Sequence, residues 1–452
     1  PGQIRAANGE VTAVVAGDEI LSVEPGDTSA ANYGMAFDIG TTTVVGMLID
    51  LTKGDDLAVA ARTNPQVAHG DDVIARIGFA ATETGRRLLQ SRIVGCLNEI
   101  IDECCATAGI ESSTIYEITV AGNTTMNHLL LGIQPDYVAQ SPYVAALRDA
   151  LDTPAAELGI HIHPRGNVHT LPNIAGFVGG DTVGVILATG LLDADKLTLA
   201  IDIGTNGEIV AGTKDRLVSC STAAGPAFEG ARIAFGMRAA SGAIDKLVLD
   251  GDVRINVIGG QKPRGLCGTA VIDAVAELLR VGIVDSTGRI VPPGECPADL
   301  PQALRDRIVA NEAGPAFLIA REEETDIRGP ILLTQRDVRE VQLAKGAIAA
   351  GTNMLLAELG ATVNDLHTVL LAGAFGNFIR RNMAKRIGLL PDLPTDRIQF
   401  VGNAAGAGAR MALLSRASRQ EAIRASNVTC YIELAGRPEF QTEFMSAMLF
   451  PE

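Results

Sequence analysis

One short phrase occurs twice in this chain, and it restricts the fold more than any other feature. The first copy is Ala36-Phe37-Asp38-Ile39-Gly40-Thr41-Thr42-Thr43; the second is Ala200-Ile201-Asp202-Ile203-Gly204-Thr205-Asn206-Gly207. Each is an apolar run that ends in Asp, then Gly, then small hydroxyl or amide residues. A second β-rich run follows, Val44 to Leu51 in one and Glu208 to Gly212 in the other. The pattern predicts a strand, a tight hairpin and a second strand. Glycine lets the turn backbone approach a ligand, and turn N–H and hydroxyl groups can donate to phosphate oxygens. An Asp at the strand end suits Mg²⁺, a hard ion that takes oxygen ligands and keeps much of its water. Two such hairpins are expected to clamp a nucleoside triphosphate from both sides. That expectation puts phosphates on Gly40, Thr41, Thr42 and Thr43 and on Gly204, Thr205, Asn206 and Gly207, with Mg²⁺ at Asp38 and Asp202.

A chain of 452 residues has room for two or three domains, and 49 glycines suit an α/β protein with many tight strand–helix turns. A net charge of −16 argues against a nucleic-acid partner and favours docking to a basic or neutral protein surface. No apolar run reaches the length of a membrane span and no signal peptide opens the chain, so the cytoplasm is expected. The seven cysteines include no C-x-x-C pair, which predicts reduced, mostly buried thiols rather than a zinc or cluster site. His161, His163 and His169 are expected on a surface loop, whereas His69 and His128 satisfy local hydrogen bonds.

Along the chain, residues 1–33 read as two short strands around Gly17-Asp18 and a polar linker. With a start at Pro1 rather than Met, they are expected to be the tail of a preceding domain. Residues 34–195 form a first half and 196–415 a second. Residues 416–452 add a strand and a helix with no half assigned. In the first half an unusual polar stretch runs from Asn64 to Asp72, and Asp71 or Asp72 caps the next helix. Ile93, Leu97, Ile100, Ile101 and Cys104 follow helical spacing. Gly122-Asn123-Thr124 caps a further helix, and residues 134–170 read as an insertion with little regular structure. In the second half Thr334 caps a helix reaching Leu359, with Asp337 at its third position.

Two carboxylates stand beside these elements. Asp181 follows Gly179-Gly180 at a helix start, where it is either an N-cap or the catalytic carboxylate that orients water near the γ-phosphate. Glu208, beside the second turn, carries the same two readings. Gly406, Gly408 and Ala409, with Ala188, Thr189 and Gly190, would let two helices cross closely.

The twin phrases resemble the two phosphate signatures of the superfamily of acetate and sugar kinases, heat-shock chaperone ATPases and actin. In that comparison Gly373-Ala374-Phe375-Gly376-Asn377, after the buried strand Val369 to Ala372, resembles the adenosine loop. The resemblance implies an α/β fold of two ribonuclease-H-like halves, mixed sheets flanked by helices, and nucleotide in the cleft between them. From Tyr33 onward the chain further resembles the large C-terminal region of the ATP-dependent reductive activators of corrinoid proteins. The selective phrases are Asn64-Pro65-Gln66 through Asp72-Val73 and Ala121-Gly122-Asn123-Thr124-Thr125-Met126. Gly265 to Ala270, Leu371 to Gly376 and Val401 to Ala404 add to them. This resemblance implies an ATPase, with ATP/ADP and Mg²⁺, that helps return Co(II) corrinoid proteins to Co(I). It also implies an electron donor, a [2Fe–2S] domain lying before the residues in hand. The implied partner is a corrinoid methyltransferase subunit or corrinoid iron–sulfur protein, and Asn64 to Asp72 is a candidate sensor of nucleotide state. The oligomeric state is left open, a homodimer included. A small-molecule kinase of the acetate or sugar type, with Asp181 as base, and a nucleotide-dependent interaction module without redox work are the alternatives.

Overall fold

The computed structural model describes residues 4–5, 8–311, 314–373 and 379–451. The chain forms two compact units, one of Pro1–Leu192 with Asn403–Tyr431 and one of Asp193–Gly402 with Ile432–Glu452. The division expected at residue 415 therefore falls at 402/403. Residues 416–452 are also shared, up to Tyr431 with the first unit and the remainder with the second.

In the first unit β1 (Val11–Ala16) and β2 (Glu19–Pro25) pair as a separate antiparallel hairpin. The Tyr116 hydroxyl donates to Glu24 Oε1 at 2.6 Å, and Arg165 pairs with Glu19, so this hairpin is fastened to the unit's body. The main sheet holds β3 (Tyr33–Ile39), β4 (Thr43–Asp50), β5 (Asp55–Thr63), β6 (Ile115–Gly122), β7 (Leu151–Pro154) and β8 (Asn167–Thr170). Their spatial order is β5-β4-β3-β6-β8-β7. The pairs β3/β4 and β4/β5 are antiparallel, β3/β6 and β6/β8 parallel.

The second unit repeats the plan with β9 (Thr198–Ile203), β10 (Gly207–Thr213) and β11 (Arg216–Thr222). Two smaller sheets intervene, β12 (Ala243–Asp250), β13 (Asp252–Val257) and β14 (Gly265–Leu266), then β15 (Ile308–Asn311), β16 (Gly314–Ala320) and β17 (Ile331–Thr334). β18 (Thr368–Ala372) and β19 (Ile398–Gly402) return to the main sheet, giving the order β19-β18-β9-β10-β11. Again the hairpin partners are antiparallel while β9/β18 and β18/β19 are parallel. The duplicated phrase thus opens a duplicated mixed sheet, antiparallel on one side of its first strand and parallel on the other.

Each sheet buries its apolar faces under helices. The helix Glu83–Ala108 starts at the N-cap Thr82 and ends at Gly109 in the left-handed region. Its buried Leu89, Ile93, Leu97 and Ile100 pack with Met35, Phe37 and Leu48 in the core of the first sheet. The helix Gln335–Glu358 has the capping box read from Thr334 and Asp337, and lies on β10 and β11. Asp337 also takes the Ala234 N–H at 2.8 Å, which ties the helix start to a neighbouring loop.

Three expectations need correction here. Residues 134–170 are not irregular throughout, because β7 and β8 complete the first sheet; they are too short and polar to carry a period. His169 lies on β8, 5% exposed, with Nδ1 2.8 Å from Asp152 Oδ1, so it is neither in a loop nor on the surface. The expected close crossing of the two helices is present, but the backbone contact is made at Gly184 rather than at Gly190. It joins the helices Gly180–Thr189 and Ala404–Leu414 at Gly184, where an added Cβ would stand 2.7 Å from Ala405 O. An added Cβ on Gly408 would overlap the Gly184 backbone. That crossing anchors the chain after Asn403 in the first unit. Gly190 instead caps the first helix in the left-handed region. Six cysteines are buried and Cys430 is exposed, all as free thiols. Among the described residues no helix is long and apolar enough to cross a membrane.

Candidate functional site

The first turn is closed by the Gly40 N–H, which donates to Thr43 O at 3.0 Å. A Cβ at position 40 would lie 2.7 Å from that oxygen, so this turn closes undisturbed only around glycine. Three successive carbonyls of the turn are drawn to one side. Asn64 Nδ2 donates to Gly40 O at 2.9 Å, Arg76 Nη2 to Thr41 O at 2.5 Å, and the Asn64 N–H to Thr42 O at 2.9 Å. In a trans peptide C=O and N–H point in opposite directions. The N–H groups of Thr41, Thr42 and Thr43 are therefore turned to the other side, an orientation that suits an anion.

Asn123 fixes the side chain of Thr41. Its Oδ1 caps the helix Thr124–Leu130 by accepting the Met126 N–H at 3.0 Å, and its Nδ2 donates to Thr41 Oγ1 at 3.0 Å. Because Oγ1 accepts there, the Thr41 hydroxyl hydrogen is left to donate in another direction. The two selective sequence phrases, around Asn64 and around Asn123, thus converge on one turn.

Asp38, one residue before the end of β3, is not alone. Burial first, and then the Asp181 charge, raise its pKa to about 7, against a hydrogen bond from Asn403 that lowers it. Burial likewise raises Asp181, against hydrogen bonds from the Thr182 N–H and hydroxyl. The N-cap of that helix is Gly179, and Asp181 lies inside the first turn with its Oδ1 on the Thr182 N–H at 2.7 Å. The N-cap alternative for Asp181 is therefore excluded. Asn403 reaches the pair from the start of the helix Ala404–Leu414, where its Oδ1 also accepts the Gly406 N–H at 2.8 Å.

Two buried like charges raise each other's pKa values because ionising both is costly without a cation. Among the described residues neither carboxylate has an ion-pair partner. Hard oxygen donors in this arrangement fit Mg²⁺, which is commonly held by one or two carboxylates, waters and substrate phosphate. Among the described residues no group of three or more His, Cys, Asp or Glu could hold a metal, so a cage made of protein ligands alone is absent there.

The second turn is built differently. The Gly204 N–H donates to Asn206 O at 3.1 Å, but nothing approaches an added Cβ at 204 closer than 3.6 Å. The Thr205 hydroxyl donates to Glu229 Oε1 at 2.7 Å, and Thr205 O accepts the Gly225 N–H at 2.9 Å. That hydroxyl hydrogen is spent on a carboxylate, so Thr205 is not the counterpart of Thr41 as a donor. Glu208 lies directly across from Asp202 in the β9/β10 register. Ala372 at the end of β18 is in register with Asp202, and Gly373 follows it at φ +91°. An added Cβ there would stand 2.7 Å from Asp202 Oδ1, which makes Gly373 a neighbour of the carboxylate. Ala374, Phe375, Gly376 and Asn377 lie outside the described residues.

Sequence reasoning gave no separate role to Asn64, Arg76, Asn123, Asn403 or Glu229. Asn64 and Asn123 sit inside the selective phrases and Asn403 in one of the phrases that add to them, and each is a polar residue at a helix or strand boundary. That signal was available. Arg76 and Glu229 carry no local mark.

Comparisons with known proteins show the family. The family model for the RACo middle region matches residues 33–194, and that for the C-terminal domain of RACo, the ASKHA domain, matches 196–452. The corrinoid activation enzyme RamQ of Eubacterium limosum is 38% identical over 442 residues, covering 97% of this chain and 74% of that protein. The [Co(II) methylated amine-specific corrinoid protein] reductase of Methanosarcina barkeri is 27% identical over 427 residues, covering 86% of this chain and 72% of that protein. A solved reductive activator for corrinoid, iron–sulfur protein superposes with a TM-score of 0.89 at 39% identity. It covers 100% of this chain, which spans 72% of that one.

Proposed function

The chain belongs to the RACo family, and from that premise we propose that it is the ATP-driven motor of a reductive activation returning Co(II) corrinoid proteins to Co(I). The observation that carries the nucleotide part is the first turn, its N–H groups on one side and its carbonyls tied back, beside the buried Asp38–Asp181 pair. The Thr41 to Thr43 N–H groups and the Thr41 hydroxyl bind phosphate oxygens. Asp38 and Asp181 hold Mg²⁺, which when bound neutralises phosphate charge. Asp181 also orients water, a role it can fill once deprotonated. In the second unit Gly204, Thr205, Asn206 and Gly207 bind phosphate through backbone groups. Asp202 and Glu208 supply carboxylates there, and Gly373 onward receives the adenosine. The electron is supplied by a [2Fe–2S] group.

The partner is a corrinoid protein in the Co(II) state, and nucleotide changes this protein's affinity for it. The nucleotide reading is tested by titrating the protein calorimetrically with a non-hydrolysable ATP analogue, with and without Mg²⁺. Saturable binding that tightens with Mg²⁺ is expected. Heat indistinguishable from dilution at millimolar analogue would overturn it.

A further inference from the structure

Arg76 is among the largest side chains in the protein to be fully buried, at 0% exposure, and among the described residues it forms no ion pair. Its Nε donates to Gly70 O at 2.9 Å, Nη1 to Gln66 Oε1 and to Met126 Sδ, both at 3.4 Å, and Nη2 to Thr41 O. All four acceptors are neutral. The carboxylates that act on it electrostatically, Asp72 and Asp71, lie beyond ion-pair distance. Asp72 is occupied as N-cap of the helix Val73–Ala80, and Asp71 is exposed. Burial pulls the Arg76 pKa down to about 10, so the group stays charged at neutral pH.

A buried cation without an anion carries a large desolvation cost, which hydrogen bonds to neutral acceptors offset only in part. A brace for the turn needs donors but no charge; Asn64 braces the same turn with a neutral amide. We propose that Arg76 is the built-in counter-charge of the first turn, completed when a nucleotide phosphate binds on the turn's opposite side. The guanidinium acts through the Thr41 peptide. By donating to Thr41 O it polarises that unit and strengthens the Thr42 N–H as a donor. Its charge, in surroundings of low dielectric, attracts the phosphate through the turn. Arg76 is thus a positioning residue for phosphate, and the cost of burying it selects a polyanionic ligand. This inference rests on the nucleotide reading above and names the group that sets its preference for charge.

The test compares Arg76→Met, which removes the charge, with Arg76→Lys, which keeps it but cannot reproduce the three-way fork. Calorimetry with the Mg²⁺-loaded non-hydrolysable ATP analogue is run beside adenosine as a phosphate-free control. Arg76→Met is expected to weaken the analogue by on the order of ten- to a hundredfold, the range for a lost charge-assisted contact. Adenosine binding stays unchanged, and Arg76→Lys recovers most of the loss. Equal weakening in Met and Lys would show a brace only, and analogue binding by the Met variant as tight as in the parent would also overturn the proposal. Should Arg76→Met not fold, Gln66→Glu places a carboxylate beside the guanidinium and neutralises it in place. Weaker analogue binding by a folded Gln66→Glu protein supports the counter-charge, and unchanged or tighter binding overturns it. A parent protein that binds neither ligand would overturn the nucleotide reading itself.

Discussion

Asp38→Asn is expected to leave a folded protein whose melting temperature, without Mg²⁺, falls less steeply with pH than the parent's, and whose ATP turnover is lost. The sign follows from the direction of the shift. Burial and Asp181 raise Asp38 from 3.8 to about 7 in the folded state. Between those values the folded protein binds the proton that the unfolded chain has released. Stability therefore decreases as pH rises from about 4 to about 7, and flattens above. Asparagine has no proton to lose, so the slope that belongs to position 38 disappears. It also relieves Asp181 of its like-charged neighbour. The same change removes a proposed Mg²⁺ ligand, and turnover is expected to drop on the order of a hundredfold or more. Melting curves from pH 5 to 8 and a steady-state phosphate-release assay measure both. Parental turnover in Asp38→Asn would remove Asp38 from the site, and a parental pH slope would show that Asp38 does not hold a proton in the folded state.

The largest loss of stability is expected from Gly408→Val. The helix Ala404–Leu414 meets Gly180–Thr189 with backbone against backbone, and no Cβ fits at 408 without displacing Gly184. Neighbouring backbone cannot rotate away as a flexible side chain could. Overpacking of a core typically costs about 1–3 kcal/mol, and two branched methyl groups at a backbone contact exceed that range. Asn403, which bonds Asp38, caps the same helix, so a displaced helix also disturbs the carboxylate pair. Gly95→Ala is the contrasting change. Gly95 is exposed in the helix Glu83–Ala108 with nothing within 4 Å of an added Cβ. It should gain roughly 0.5–1 kcal/mol. Denaturant unfolding of both variants separates the cases, and a parental midpoint for Gly408→Val would contradict the packing account.

What could be read from the sequence was local. The strand–Asp–Gly–Thr hairpins, the Thr334–Asp337 capping box and the Glu83–Ala108 helix are each specified by residues a few positions apart. Their structures follow the pattern. What escaped depends on residues far apart in sequence. Arg76 reaches Thr41 across 35 positions, and Asn403 returns from late in the chain to Asp38. Asp181 stood beside a helix start in either reading; the structure gives the N-cap to Gly179 and brings Asp181 beside Asp38, which lies far from it in sequence. β7 and β8 have four residues each, too few for a period of two to show. His169 looked like a loop histidine because its strand is polar, and it is buried because that strand pairs on both sides. Thr205 matches Thr41 in the repeated phrase, yet Glu229, absent from the first copy's surroundings, takes its hydroxyl.

The central claim is that nucleotide gates this protein's hold on a Co(II) corrinoid protein. Its most direct test is calorimetric binding of that partner with ADP, with the non-hydrolysable ATP analogue, and with no nucleotide. The account predicts affinities that differ between nucleotide states by on the order of 5–150-fold, and by reciprocity the partner must shift nucleotide affinity by the same factor. Identical partner affinities in all three states would leave the fold and the phosphate turns standing, and would contradict a nucleotide-gated corrinoid activator.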